Sequence, residues 1–191
     1  MGGAAPALPF GERRELAVRR CLIVVDYQVD FVTGALGFPG AEKLAERIAR
    51  KIRAYREAGD DVIFTLDTHG EDYLETFEGT RLPVPHCIEG TRGHELFGAV
   101  GEERAAGDRV FCKGGFGSDA LYAYLREMPY RSIELVGVVT NICVLSNAVL
   151  AKTAQPETEI LVDANCVGSN DPALGRAALD VLESLQVQVL R

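Results

Sequence analysis

Residues 133 to 151 read IELVGVVTNICVLSNAVLA. The first seven, IELVGVV, are apolar with hardly any alternation, the pattern of a strand covered on both faces. From about Asn141 the pattern becomes helical and holds to about Ala154. A strand that hands straight over to a helix is the building unit of an α/β fold. This handover carries one thiol, Cys143.

The same unit recurs outward in both directions. CLIVVD (21–26), DVIFTLD (61–67), RVFCK (109–113), EILVDA (159–164) and VQVL (187–190) predict five further strands. Between the first two, Leu44, Ile48, Ile52 and Tyr55 form an apolar stripe at helical spacing, Glu46 and Arg50 stand at i,i+4, and Gly59 suits the C-cap. Further helices are expected at DALYAYLREM (119–128) and in SNDPALGRAALDVLESLQ (169–186), where Asp171 can cap and Pro172 takes the first helical position. The alternation predicts a three-layer, doubly wound α/β fold: a six-stranded, mostly parallel sheet with helices on both faces. The long irregular stretch from about 68 to 93 is the kind of loop that carries function.

A chain of 191 residues suits one core. Residues 1–15 read as a loose N-terminal tail and 16–191 as a single domain. Hydrophobic residues at 47% and charged residues at 25% are ordinary globular values, which argues against disorder. Twenty Lys and Arg against twenty-eight Asp and Glu give a net charge of -8, the wrong sign for a nucleic-acid partner. No apolar run reaches bilayer-spanning length, and the start lacks a basic segment followed by an apolar one, so neither membrane nor secretion is signalled. Five cysteines without a C-x-x-C pair signal no disulfide framework and no thiolate zinc site, so a reducing cytoplasm is the expected compartment.

In an open parallel sheet ligands bind beyond the carboxyl ends of the strands. Those ends carry Asp26, Asp67, Lys113, the TNIC segment around Cys143, and Asp163. If Thr140 caps the helix, Cys143 falls in its first turn, where free N–H groups favour a thiolate; a lysine nearby lowers the thiol pKa further, and an aspartate can move the proton. The alternative is a small core cysteine packed like alanine. The residues alone leave both open. Cys21 and Cys112, inside strand runs, read as buried structural thiols, and Cys87 and Cys166 as loop residues.

Asp67, His69 and His86, with Glu75 and Glu78 between, are the donor types that Zn, Mn or Fe takes with water in the open positions. Loop histidines on the surface are the plainer reading. KGGFGSD (113–119) matches neither phosphate-loop pattern and reads as a turn entering a helix.

Five segments, VVDYQVDF (24–31), DTH (67–69), PHCIEGTRGHEL (85–96), KGGF (113–116) and GVVTNICVLSNA (137–148), occur in an order that resembles the isochorismatase-like cysteine hydrolases, in particular the nicotinamidase-related amidases. The likeness runs from about Arg20 to the C-terminus. It implies a triad of Asp26, Lys113 and Cys143, a cis peptide between Val138 and Val139, and an oxyanion hole of the Val139 and Cys143 N–H groups. It also implies one divalent metal (Zn, Mn or Fe) on Asp67, His69 and His86, with Glu78 as the best further ligand and Glu75 the second, and no organic cofactor. The substrate pocket falls on Gln28, Phe31, Leu82 and Pro83. The branch stacks a pyridine ring between the phenylalanine at 31 and an aromatic just before the last histidine. Here LPVPH (82–86) offers Leu82 and Pro83, and the chain has no tryptophan.

The expected activity is hydrolysis of a small amide through a thioester, with nicotinamide giving nicotinate and ammonia, in a homo-oligomer. Two other readings keep the pocket. One is a ureido or N-carbamoyl amide hydrolase, or an isochorismatase-type enzyme, on the same triad; the metal set speaks against isochorismatase. The other is a non-catalytic small-molecule-binding module, against which the intact triad stands.

Overall fold

The six apolar runs become six strands in the computed structural model, which describes residues 19 to 191; the expected tail and the first residues of the expected domain lie outside the described residues. The strands are β1 (Arg20–Val25), β2 (Asp61–Asp67), β3 (Arg109–Lys113), β4 (Ser132–Val138), β5 (Glu159–Gly168) and β6 (Gln188–Leu190). Their order is β3-β2-β1-β4-β5-β6, and every pairing is parallel, where a mostly parallel sheet was expected. The order reverses direction between β1 and β4, which opens a crevice at the carboxyl ends of those two strands.

The helices are α1 (Val29–Val32), α2 (Ala45–Glu57), α3 (Phe77–Arg81), α4 (Gly98–Glu102), α5 (Asp119–Glu127), α6 (Leu145–Ala154) and α7 (Pro172–Ser184). Successive residues of β1 point to opposite faces and so build two cores. Leu22 and Val24 pack with Ile48 and Ile52 of α2 on one side. Cys21, Ile23 and Val25 pack with Leu121 and Leu125 of α5, Ala148 and Ala151 of α6, and Leu182 of α7 on the other. Each fully buried leucine or isoleucine contributes about 1.5–3 kcal/mol.

The local signals account for most element ends. The stripe Leu44, Ile48, Ile52 and Tyr55 is buried throughout, and Gly59, at φ 75°, turns the chain out of α2 just after Ala58. Asp171 caps α7 by accepting from the N–H groups of Ala173 and Leu174 at 2.8 and 3.0 Å, with Pro172 next in line. The Glu46 carboxylate pairs with Arg53 at 2.7 Å and not with Arg50, whose guanidinium instead donates to the Glu46 carbonyl. The stretch 68–93 holds 3-10 turns at Tyr73–Glu75 and Arg92–His94 as well as α3.

Three expectations are corrected. Cys112, read as buried, is exposed on β3, the edge of the sheet. Cys166, read as a loop residue, is buried within β5. Asp163 does not close a strand at the crevice: β5 continues to Gly168, and its ladder with β4 jumps from Leu135–Val162 to Gly137–Val167. In the skipped segment Asp163 turns to Lys51, which lies 2.9 Å from it and 2.6 Å from the buried Glu134. At the same irregularity Gly137 adopts φ 114°, and a Cβ there would meet the Val25 carbonyl at 2.0 Å, so only glycine fits.

Candidate active site

The crevice collects four strand ends. Asp26 follows β1 with φ 46° and no exposure; the Thr65 hydroxyl donates to its Oδ1 at 2.6 Å. Lys113 closes β3 and reaches inward: its Nζ lies 2.7 Å from Asp26 Oδ2, 3.3 Å from Asp67 Oδ1 and 3.6 Å from Cys143 Sγ, and donates to the Gly115 carbonyl at 2.9 Å. The 2.7 Å approach is close for an ion pair but not aligned as a hydrogen bond, and Asp26 Oδ2 is left buried without a directed donor. That oxygen has a lone pair to offer the neighbouring thiol.

The turn that carries Cys143 departs from expectation. Thr140 is not a cap; residues Thr140–Val144 form one π-helical turn with Val139 at its N-cap position, and the N–H groups of Ile142 and Val144 both donate to the Val139 carbonyl, at 3.0 and 3.2 Å. The Val138–Val139 peptide is cis. Cys143 sits in this turn at 5% exposure. Burial, and then the Asp26 charge, push its thiol well above the ordinary range, although Lys113 pulls the other way. Burial therefore works against the charged form of this thiol, the opposite direction to the helix terminus and the lysine. Burial also raises the Asp26 carboxyl, against the pull of Lys113, which makes it a stronger base than an ordinary carboxylate. Burial would lower Lys113, but Asp26, Cys143 and Asp67 together hold its pKa above the ordinary value.

Beside the triad residues, Asp67, His69 and His86 are all buried, and their donor atoms lie within 4.8 Å of one another. Asp67 Oδ2 is 3.0 Å from His69 Nε2 and 3.3 Å from His86 Nε2. Burial opposes charge on Asp67, but the two imidazoles and Lys113 keep its carboxyl far below the usual range. The His86 Nδ1–H group donates to the Val84 carbonyl at 2.8 Å, so a neutral His86 aims the Nε2 lone pair at a carboxylate oxygen. Two acceptors facing each other need a cation between them, a proton or a metal ion. The donor set fits a divalent metal of the zinc type. Glu78 Oε1 comes to 3.9 Å from His86 Nε2, whereas Glu75 is exposed and contributes nothing to the crevice.

An isochorismatase domain model matches residues 20–191. The chain belongs to the isochorismatase family. Within it the chain falls on the nicotinamidase branch. It is 30% identical over 189 residues to the nicotinamidase/pyrazinamidase of Mycobacterium tuberculosis, covering 90% of this chain and 98% of that protein. The crystal structure of a nicotinamidase/pyrazinamidase from Bacillus subtilis superposes with a TM-score of 0.81 at 32% identity, over 91% of this chain and all of that one. A pyrazinamidase of Pyrococcus horikoshii in complex with zinc gives 0.79 at 25% identity, over 91% and 99%.

In this isochorismatase-family chain a cavity of about 130 Å³ lies over Cys143, lined by Phe31, Leu36, Leu82, Phe116, Val139 and Ile142, with Asp67, Glu78, His86 and Asn170 as its polar positions. Two expected pocket residues are elsewhere. Gln28 is fully buried and spends its amide on backbone: it donates to the Asp67 and His94 carbonyls and accepts from the Asp67 N–H, each at 2.9 Å. Pro83 is exposed outside the lining. Sequence reasoning missed Thr65, Phe116, Ile142, Asn147 and Asn170. Phe116 and Asn147 stood inside quoted motifs, but nothing in their spacing marks them. Thr65 is one residue in an otherwise apolar strand, a legible signal.

Proposed function

We propose that this nicotinamidase-like amidohydrolase cleaves the amide of nicotinamide through a thioester on Cys143. The observation that carries this reading is the buried constellation of Cys143, Lys113 and Asp26, with Lys113 Nζ at 3.6 Å from the sulfur and 2.7 Å from a carboxylate oxygen that has no directed donor. Asp26 Oδ2 takes the thiol proton as sulfur attacks the amide carbon, and Lys113 balances the charge that develops. The carbonyl oxygen becomes an oxyanion received by the N–H groups of Val139 and Cys143. The C–N bond breaks, the nitrogen takes the proton from Asp26, and ammonia departs, leaving the acyl group on sulfur. Water then gives a proton to Asp26 and attacks the thioester; the C–S bond breaks and sulfur regains its proton from Asp26.

Asp67, His69, His86 and Glu78 would hold one divalent ion at the cavity wall. Such an ion supplies an electrophilic anchor for a ring nitrogen and so orients the carboxamide toward Cys143. Phe31, whose ring lies edge-on to His86 at 5.6 Å, would flank that ring. The nicotinamidases among its relatives support this substrate. We read residues 16–191 as one catalytic domain and the protein as a cytoplasmic homo-oligomer; sizing in solution tests the assembly.

The deciding assay is ammonia release from a panel holding nicotinamide, pyrazinamide, and carbamoyl and ureido amides. Release from the pyridine and pyrazine carboxamides is expected. Release from the ureido compounds alone would move the substrate assignment, and release from none would end the amidase reading.

A further inference from the structure

The loop after Lys113 is Gly114-Gly115-Phe116-Gly117, and its phenylalanine is 53% exposed. An exposed aromatic ring on a glycine-rich loop is ordinarily free to wander, yet this backbone is pinned on both sides. The Lys113 ammonium donates to the Gly115 carbonyl at 2.9 Å. From the other side Asn147, fully buried on α6, donates to the Phe116 carbonyl at 3.1 Å and accepts from the Ser118 N–H at 3.0 Å. The same Asn147 amide donates to the Cys143 carbonyl at 2.8 Å. One side chain thus fixes the nucleophile's turn and the Phe116 loop to each other, with both ends of its amide in use.

Phe116 also stands on a boundary. Among the described residues only Phe116 and Glu78 line both the 130 Å³ cavity over Cys143 and a neighbouring groove of about 480 Å³, which is formed by His69, Phe77 and Arg81 among others. The ring is thus a wall that the two spaces share. The segment where an aromatic was expected supplies Leu82 to the lining, so Phe116 is the second phenylalanine of the cavity beside Phe31.

We propose that Phe116 is the wall that sets how large an acyl group the cavity accepts, and that Asn147 is the positioning residue that holds this wall against the nucleophile's turn. The proposal rests on the amidase reading above. In this arrangement a flat heteroaromatic carboxamide the size of one ring is held in the cavity that Phe31 and Phe116 both line, and a fused-ring carboxamide has to displace Phe116 toward the groove.

The test measures binding apart from turnover. In Cys143→Ala protein loaded with zinc, calorimetry compares nicotinamide with quinoline-3-carboxamide. The expected preference for nicotinamide is roughly two- to tenfold, the scale of one aromatic contact. Adding Phe116→Ala erases the preference by weakening nicotinamide and admitting the fused ring. Adding Asn147→Ala erodes it in the same direction, an effect that lost stability alone does not produce. In the Cys143-intact enzyme Phe116→Ala raises KM for nicotinamide with little change in kcat. An unchanged preference in the Phe116→Ala protein overturns the proposal, as does failure of both ligands to bind any of the proteins. Size-selective binding without ammonia release from the intact enzyme sinks the amidase reading and leaves the wall standing. If Asn147→Ala does not fold, Phe116→Ala decides alone, since its half-exposed ring is no part of either core.

Discussion

Asp26 and Cys143 are both buried, burial penalises charge on each, and Lys113 steadies negative charge on the pair. Catalysis then depends on where one proton goes. Asp26→Asn keeps the shape and removes the acceptor, and kcat for amide hydrolysis is expected to fall roughly 10³-fold while the folded protein remains; stopped assays alongside circular dichroism check both halves. Thr65→Val removes the hydroxyl that holds Asp26 Oδ1 at 2.6 Å. Loss of a buried hydrogen bond to a charged group predicts a fall in kcat/KM of about tenfold, and an unchanged kcat/KM would show that Asp26 needs no such support. Asp26, Lys113 and Cys143 were legible as polar residues closing apolar runs. The depth at which the thiol is buried was not, because the groups that cover it come from segments distant in sequence.

At the scale of elements, strands and helices followed from apolar patterning, and caps from residue chemistry. Asp171 accepts two N–H groups at the start of α7, so Asp171→Ala is expected to cost about 1 kcal/mol; a lower urea midpoint at unchanged slope is the signature. What patterning could not give was the irregular geometry at the crevice. The π-helical turn at Thr140–Val144 and the jump in the β4–β5 ladder both arise from long-range fit, and each moved an expected residue: Thr140 lost its capping role, and Asp163 turned away to Lys51. Gln28 failed as a pocket residue for a related reason. Its amide satisfies buried backbone groups of two other segments, a demand invisible from its own neighbours.

For the molecule as a whole, order along the chain predicted the doubly wound sheet, and the reversal between β1 and β4 placed the crevice. Behind the crevice side, the sheet is tied to α2 by a charge cluster. Lys51 bridges Glu134 and Asp163, and the Tyr55 hydroxyl donates to Glu134 at 2.7 Å. Burial opposes charge on Asp163, but Lys51 and the Asn165 N–H depress its carboxyl below the ordinary value. A depressed carboxyl adds stability above its unfolded pKa and loses it as pH falls through the folded one. Lys51 is held above its ordinary value, since its two carboxylates outweigh burial, so its contribution is complete below the unfolded lysine pKa and fades only at strongly basic pH. Lys51→Met is therefore expected to be less stable than the parent at pH 7, with the gap closing as pH drops below about 4; denaturant titrations at several pH values read this directly. The account as a whole turns on covalent chemistry at one sulfur. Acid-quenching the nicotinamide reaction during turnover and mapping the peptides by mass spectrometry tests it most directly. The predicted result is a nicotinoyl adduct on the peptide carrying Cys143, with ammonia released, and neither in Cys143→Ala; an adduct on another residue, or undiminished ammonia release by that variant, would contradict it.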